Sequence, residues 1–209
     1  MAAAQGSDGA QRPKPRGRAQ VEQRLVEVAA DLLAEVGPRQ LSMRAVSSRA
    51  GVNVAQAYHY FGSKEALLVA AMRALAREWY DEVAPSVGRM AHPSPIPLGG
   101  YPRYWRALVH AILDKEYELA ELEFREEISV ARTVIASIAE EFGGELDVEQ
   151  RITLAAAFSL SLGWVAFEHF MLELVGLPDD HATVVAGRQQ IEDMTREWMR
   201  RLGEPRRKR

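Results

Sequence analysis

The residues best suited to chemistry lie between positions 42 and 64, and they are hydrogen-bond donors and cations rather than nucleophiles. Arg44, Gln56, Tyr58, His59 and Lys64 fall within one stretch, LSMRAVSSRAGVNVAQAYHYFGSK, residues 41–64. The Gln56 amide can pair bidentately with N6 and N7 of adenine. It also stands three residues after Asn53, where a capping box would turn it back on its own helix. Both readings stand at the level of sequence. Val54 and Ala55 are small or apolar and suit thymine methyl groups, and Arg44 is a second candidate for base contact.

The elements that must position these groups are legible as punctuation. Ser42 can cap a short helix over residues 43–50, because its hydroxyl accepts from the free N–H groups of the first turn. Gly51 follows, where a positive φ costs little and the chain can turn sharply. Val52 can plug the corner. Asn53 caps a second short helix over residues 54–60, Gly62 breaks it, and Ser63 caps a third with Glu65 near its positive end. Two short helices joined by a tight Gly-containing turn form a helix-turn-helix, which sets its second helix in the DNA major groove.

The wording inside that frame adds more. Gly51-Val52 and the run Tyr58-His59-Tyr60-Phe61-Gly62-Ser63-Lys64-Glu65-Ala66-Leu67-Leu68 resemble the signature of the tetracycline-repressor (TetR) family of transcriptional regulators. The resemblance spans roughly fifty residues, counting the preceding helix. It implies that Tyr58, His59 and Lys64 hold phosphates. Their chemistry agrees: an O–H donor, an imidazole donor and a cation at a helix N-terminus. The expected DNA-contacting set is Ser42, Arg44, Asn53, Val54, Ala55, Gln56, Tyr58, His59 and Lys64. Tyr60 is read as a core aromatic. Relatives often carry Gly, Thr and Leu where this chain has Ala55, Gln56 and Ala57, so no operator sequence carries over.

Composition sets the bounds. At 209 residues with 47% apolar content the chain is globular and can bury a core. No unbroken apolar run reaches the roughly 18 residues of a membrane span. The first twenty residues lack the apolar core of a secretory signal. The absence of cysteine excludes disulfides and thiolate metal sites and fits a cytoplasmic protein. Charge is unevenly spread: residues 11–80 hold 11 Lys/Arg against 6 Asp/Glu, and residues 81–209 hold 15 against 22. A basic front and an acidic rear suit a chain that meets phosphate at one end.

In chain order, residues 1–19 read as a disordered basic arm with Arg12, Lys14, Arg16 and Arg18 at alternate positions. Such an arm can follow the duplex or enter the minor groove, or serve only as a solubilising tail. Residues 20–62 are the DNA-binding domain. Its first helix, residues 20–36, carries Val21, Leu25, Val28, Leu32 and Val36 as a stripe and ends at Gly37-Pro38. Residues 63–203 form a helical ligand-binding and dimerisation domain, and residues 204–209 a basic tail. Within that domain a helix over residues 63–83 buries Leu67, Leu68, Ala71, Leu75 and Trp79. Residues 85–102, with five prolines and three glycines, read as a loop. One or two helices over residues 104–122, one over 124–142, one capped by Asp147 and reaching 175, and a last over 181–202 complete an all-α fold. The helix over 147–175 is apolar around most of its circumference and must be covered on more than one side.

The resemblance implies that the last two helices pair with their symmetry mates in a homodimer, matching a palindromic site. It also implies a small-molecule inducer. The expected lining is Trp105, His110, Tyr117, Phe124, Phe158, Trp164, Phe167, His169 and Phe170, which favours an apolar or aromatic ligand. Each of these is also ordinary core material. No metal or cofactor is expected, since neither His110 nor His169 has a second ligand at metal spacing. No Ser/His/Asp order, phosphate loop or HExxH is present, so an enzyme is not expected. The expected function is a DNA-binding repressor released by a ligand. The alternatives are a ligand-independent regulator or activator, and a helical binding protein that does not use its DNA module.

Overall fold

The computed structural model describes residues 17–87 and 102–202, and every regular element among them is an α-helix. The ten helices are α1 (Arg18–Gln40), α2 (Met43–Ala50), α3 (Val54–Phe61), α4 (Lys64–Val87), α5 (Pro102–Leu113), α6 (Tyr117–Ala120), α7 (Leu122–Arg125), α8 (Val130–Glu141), α9 (Val148–Leu174) and α10 (His181–Leu202). The all-α expectation holds. The expected basic arm, most of the proline-rich loop and the C-terminal tail lie outside the described residues.

The organising helix is α1. Its buried residues are Val21, Leu25, Val28, Ala29, Ala30, Leu33 and Ala34, a stripe wide enough to meet helices on two sides. Leu32 and Val36, expected in the stripe, are only half-buried, because Leu33 and the alanines take the core. The helix starts at Arg18, two residues before the expected start. Gly37, at φ 79° and ψ 171°, breaks its helical path, and a last turn continues through Pro38 to Gln40. One side of α1 packs on α2 and α3; the other packs on α4 and α5.

The long helix α4 buries Leu67, Leu68, Ala71, Leu75 and Trp79 as expected. It runs to Val87, four residues beyond the expected end, and carries Pro85 inside. A proline in the last turn forfeits one helical hydrogen bond. Burial of Val87 and the bond from the Ser86 hydroxyl to the Val83 carbonyl (2.7 Å) offset that loss.

Between residues 102 and 142, where one or two helices over 104–122 and one over 124–142 are expected, the chain forms four pieces. The chain turns at Lys115 (φ 63°) and Glu127 (φ 56°), both in the left-handed region. Each turn is closed by the same wide backbone bond, Glu116 N–H to Ala111 (2.9 Å) and Ile128 N–H to Glu123 (3.0 Å). This is the Schellman pattern, normally built on glycine. Ser129 then caps α8, accepting from the Arg132 N–H. Of the expected face of α8, Ile128 and Ile138 are buried and Ala131 and Ile135 half-buried, while Val134 joins the core.

Asp147 and Gln150 close a full capping box at the start of α9, each bond 2.8 Å. Helices α9 and α10 lie against each other. An ideal Cβ on Gly187 of α10 would stand 2.5 Å from Cζ2 of Trp164 on α9, so the indole fills the space a side chain would need. Glu168, 1% exposed, receives Arg188 of α10 at 2.6 and 2.9 Å and faces Arg106 of α5 at 3.6 Å. Helix α9 is long and apolar enough to cross a membrane by length and composition. No unbroken apolar run marks it, because Ser, Thr and Gly interrupt the sequence, yet its mean hydropathy is high. Its residues Val148, Ile152, Phe167, Phe170 and Leu174 are exposed, which leaves the expected second covering face open.

Gly187→Ala sets a methyl into the Trp164 ring. The expected loss is about 1–3 kcal/mol, read as a lower urea midpoint at unchanged slope. An unchanged midpoint would show that the ring moves aside freely.

Candidate nucleic-acid interface

The helix-turn-helix is built as its punctuation requires. The Ser42 hydroxyl accepts from the Ala45 N–H at 3.1 Å, so α2 begins at Met43. Gly51 is left-handed (φ 69°, ψ 28°), and Val52 N–H closes the corner onto the Ser47 carbonyl at 2.9 Å. The Asn53 side chain accepts from the Ala55 N–H at 2.8 Å and starts α3. The Ser63 hydroxyl accepts from the Ala66 N–H at 3.1 Å and starts α4. Beside it, the Glu65 backbone N–H and the Ser63 hydroxyl hold the Glu65 carboxyl below its ordinary range.

Helix α3 gives almost nothing to the core. Only Ala57 is buried, with Tyr60 and Phe61 half-buried against α1 and α4; Val54, Ala55, Gln56, Tyr58 and His59 are exposed. Tyr58 is 50% exposed, whereas Tyr60 packs on the core, so the two tyrosines divide as expected. The Gln56 backbone N–H donates to the Asn53 carbonyl at 3.0 Å, but its side chain makes no bond back to the Asn53 N–H among the described residues, unlike the Gln150 side chain at the start of α9. Its amide therefore faces outward. Ser42 and Arg44 are exposed on the first turn of α2, and Asn53 is exposed at the start of α3. Lys64 is half-buried, its Nζ at 3.5 Å from the Arg39 carbonyl, a long and weak bond.

The electrostatics favour an anion. From Val36 to Lys64 the chain has no Asp or Glu but has Arg39, Arg44, Arg49 and Lys64. Arg49 is spent on Glu35 of α1, a two-pronged pair at 2.5 and 2.7 Å that ties α2 to α1 and holds the Glu35 carboxyl below its ordinary range. Arg39 and Arg44 have no ion pair among the described residues. The Arg18 guanidinium lies 5.8 Å from the Tyr60 ring centroid, so the basic segment joins the fold directly beside α3.

The interface is seated on the rest of the molecule at the α1–α2 corner. The Arg39 backbone N–H donates to Asp114 Oδ2 (3.2 Å) at the end of α5. A Cβ on Gly37 would stand 3.1 Å from His110 and 3.2 Å from Asp114. His110, expected in a ligand pocket, instead packs at this joint.

The structure sets the other expected ligand-lining residues in different surroundings. Trp105 is buried in a cluster with Trp79 and Tyr104, its centroid 5.2 and 4.7 Å from theirs. Phe124 lies under the Arg132 guanidinium at 4.4 Å. Phe158 and Trp164 are half-buried against the core. Tyr117, Phe167 and Phe170 are exposed, and His169 is exposed beside Asp179 at 2.7 Å. A cleft of about 490 Å³ opens between α1, α4 and α5, lined by Arg24, Glu27, Asp31, Glu78 and Arg103, and none of the nine residues borders it.

One group was missed. Glu123 of α7 is buried, and its carboxylate receives the Tyr104 hydroxyl and the Ser129 hydroxyl (2.9 Å). Burial pushes its carboxyl up, against the pull of those two bonds and of Arg132. Burial, with the carboxylate beside it, likewise drives the Tyr104 hydroxyl well above its ordinary range. The available signal was a glutamate set among Leu119, Ala120, Leu122 and Ile128.

Comparison with known proteins bears on the same region. A family model described as bacterial regulatory proteins, tetR family, matches residues 25–71. An HTH-type transcriptional repressor of Mycobacterium tuberculosis is 27% identical over 171 residues, covering 80% of this chain and 84% of the relative. The regulator BetI of Rhizobium meliloti is 36% identical over 69 residues, 33% of this chain and 34% of the relative. Among solved structures, a TetR-like transcriptional regulator from Rhodococcus sp. RHA1 aligns with a TM-score of 0.60 at 14% identity, covering 90% of this chain and all of the other. A likeness at that identity is one of fold.

Asn53→Ala removes the cap of α3 and is expected to lower stability by about 1 kcal/mol. Gln56→Ala is expected to stay within about 0.5 kcal/mol of the parent. Denaturant melts of both variants check this, and equal losses would return Gln56 to a capping role.

Proposed function

We propose that this chain, which matches the tetR-family model over residues 25–71, acts as a sequence-specific repressor, bound as a homodimer to a palindromic operator and released by a small molecule. The observation that carries the reading is α3, an eight-residue helix between two capped turns that buries one side chain and presents the rest outward. A helix held so firmly at its ends and so little at its sides is shaped to enter a groove. Tyr58, His59 and Lys64 are the proposed phosphate contacts, with Ser42 and Asn53 at the helix starts. Gln56, Val54, Ala55 and Arg44 are the proposed base readers. The name of the Mycobacterium tuberculosis relative supports repression as the sign of regulation.

The dimer reading draws on α9 and α10. Phe167, Phe170 (61% exposed), Leu174 and Val185 are large apolar groups left facing solvent in a single chain. Two copies joined across this face bury them. The symmetry then sets two α3 helices in successive major grooves, roughly 34–36 Å apart. Release needs a ligand that prefers the conformer with the wrong spacing, with a coupling of about 1–3 kcal/mol.

Selection of bound duplexes from a random pool tests the proposal. The expected product is a palindrome whose binding weakens steeply with salt, by a slope of about −0.9 per phosphate contacted. Salt-dependent binding with no shared motif would sink the specific-regulator reading. Lys64→Ala is expected to weaken all sequences alike and flatten the slope by about 1. Phe170→Lys is expected to yield monomers in sedimentation and to lose the palindrome; a dimer that persists places the interface elsewhere.

A further inference from the structure

From Arg18 to Lys64 the chain carries six cations, and the fold sorts them into two sets. Arg18, Arg24 and Arg49 each pair with a glutamate of α1, at 2.8, 3.5 and 2.5 Å from Glu22, Glu27 and Glu35. Arg39, Arg44 and Lys64 have no carboxylate within ion-pair distance among the described residues. Arg44 and Lys64 already belong to the proposed DNA contacts, and Arg39 does not. An exposed cation without a partner is ordinary on a protein surface. What sets Arg39 apart is its backbone, which is fastened on both sides. Its N–H donates to Asp114 Oδ2 at 3.2 Å, and its carbonyl receives Lys64 Nζ at 3.5 Å. Pro38 before it and Leu41 two places on are buried, while Arg39 itself is exposed.

Gly37 makes the first of these contacts possible. A Cβ there would stand 3.2 Å from Asp114 Oδ2 and crowd the carboxylate away from the Arg39 N–H. Asp114 is thus given to the backbone, and the guanidinium is left for an anion from outside. The bond from Lys64 sets its ammonium beside the Arg39 backbone, in a segment that has no Asp or Glu of its own from Val36 to Lys64. An anion is favoured where two like charges stand so close. A guanidinium binds phosphate through two parallel N–H bonds, and a fixed backbone lowers the ordering cost of making them. We propose that Arg39 is a further phosphate-binding residue of the DNA interface, next to the phosphate assigned to Lys64, and that Asp114 of α5 is the residue that positions it. One DNA contact is then set by the helical domain and not by the helix-turn-helix alone. This deepens, and rests on, the reading of the chain as a DNA-binding regulator.

Fluorescence anisotropy on the full chain tests this, with a labelled mixed-sequence duplex of about 30 base pairs, long enough to offer two successive grooves. Phosphate contacts carry no sequence information, so the probe need not be the operator. Affinity is followed from about 50 to about 200 mM salt. Arg39→Ala is expected to melt with the parent and to flatten the salt slope by about 1 per subunit. Arg39→Lys keeps the charge and is expected to keep the slope. Arg77→Ala removes the same charge from an exposed point about 20 Å back along α4 and is expected to leave the slope unchanged. Arg39→Ala combined with Lys64→Ala should flatten the slope by about 2 per subunit, as two separate phosphates require. Asp114→Ala is expected to weaken binding at least about twofold when Arg39 is present and to have no effect in the Arg39→Ala background. A parent slope retained by Arg39→Ala, or an equal flattening by Arg77→Ala, would overturn the phosphate contact and leave the regulator reading standing. Equal losses from Asp114→Ala in both backgrounds would overturn its positioning role. A parent that shows no salt-dependent binding removes the regulator reading, and this inference with it.

Discussion

Burial of the α1 stripe on two sides is the constraint from which the rest follows. Leu25, Val28, Ala29 and Leu33 are essentially inaccessible. Each fully buried Leu or Val of this kind is worth roughly 1.5–3 kcal/mol. That is a large share of the stability of an ordinary domain. The same helix supplies one wall of the small DNA-binding core and one wall against α4 and α5. The reading unit therefore does not hang on a linker. It shares a packed helix with the domain behind it, and a displacement in either is felt by the other.

Two further contacts narrow how that displacement travels. The corner after α1 is seated on the end of α5, where Asp114 accepts from Arg39 and His110 fills the place of a Gly37 side chain. The other route is α4, gripped near its middle by Glu126 and ending at the half-buried Lys64. Both routes start from the helices around Trp79, Tyr104 and Trp105 and end within the acid-free segment that faces outward.

Charge is arranged to serve the same division. Glu168 is buried but satisfied by two guanidinium groups, so it stitches α9 to α10 and reaches α5. Glu123 is buried and held by the hydroxyls of Tyr104 and Ser129, and burial pushes its carboxyl up. The first arrangement holds the bundle together.

What the sequence determined by itself was whatever depends on neighbours a few residues away. Ser42, Asn53, Ser63 and Asp147 cap where expected, and Gly51 turns where expected, because each satisfies backbone groups within its own turn. The exposed character of Tyr58 against the packed Tyr60 also followed, since helical spacing puts them on different faces. The tertiary structure decided the rest. Residues 103–142 contain no glycine or proline, so nothing local announced the breaks at Lys115 and Glu127. The pieces on either side of those turns, α5, α6, α7 and α8, all pack against α4. The surroundings of the expected ligand-lining aromatics, Trp105 against Trp79 and Tyr104 and Phe124 under Arg132, were likewise a matter of tertiary structure: apolar spacing says that a side chain is buried or paired, not with which partner. Whether Glu123 keeps a counter-ion depended on where distant arginines came to rest, and only the packing of separate helices could settle that.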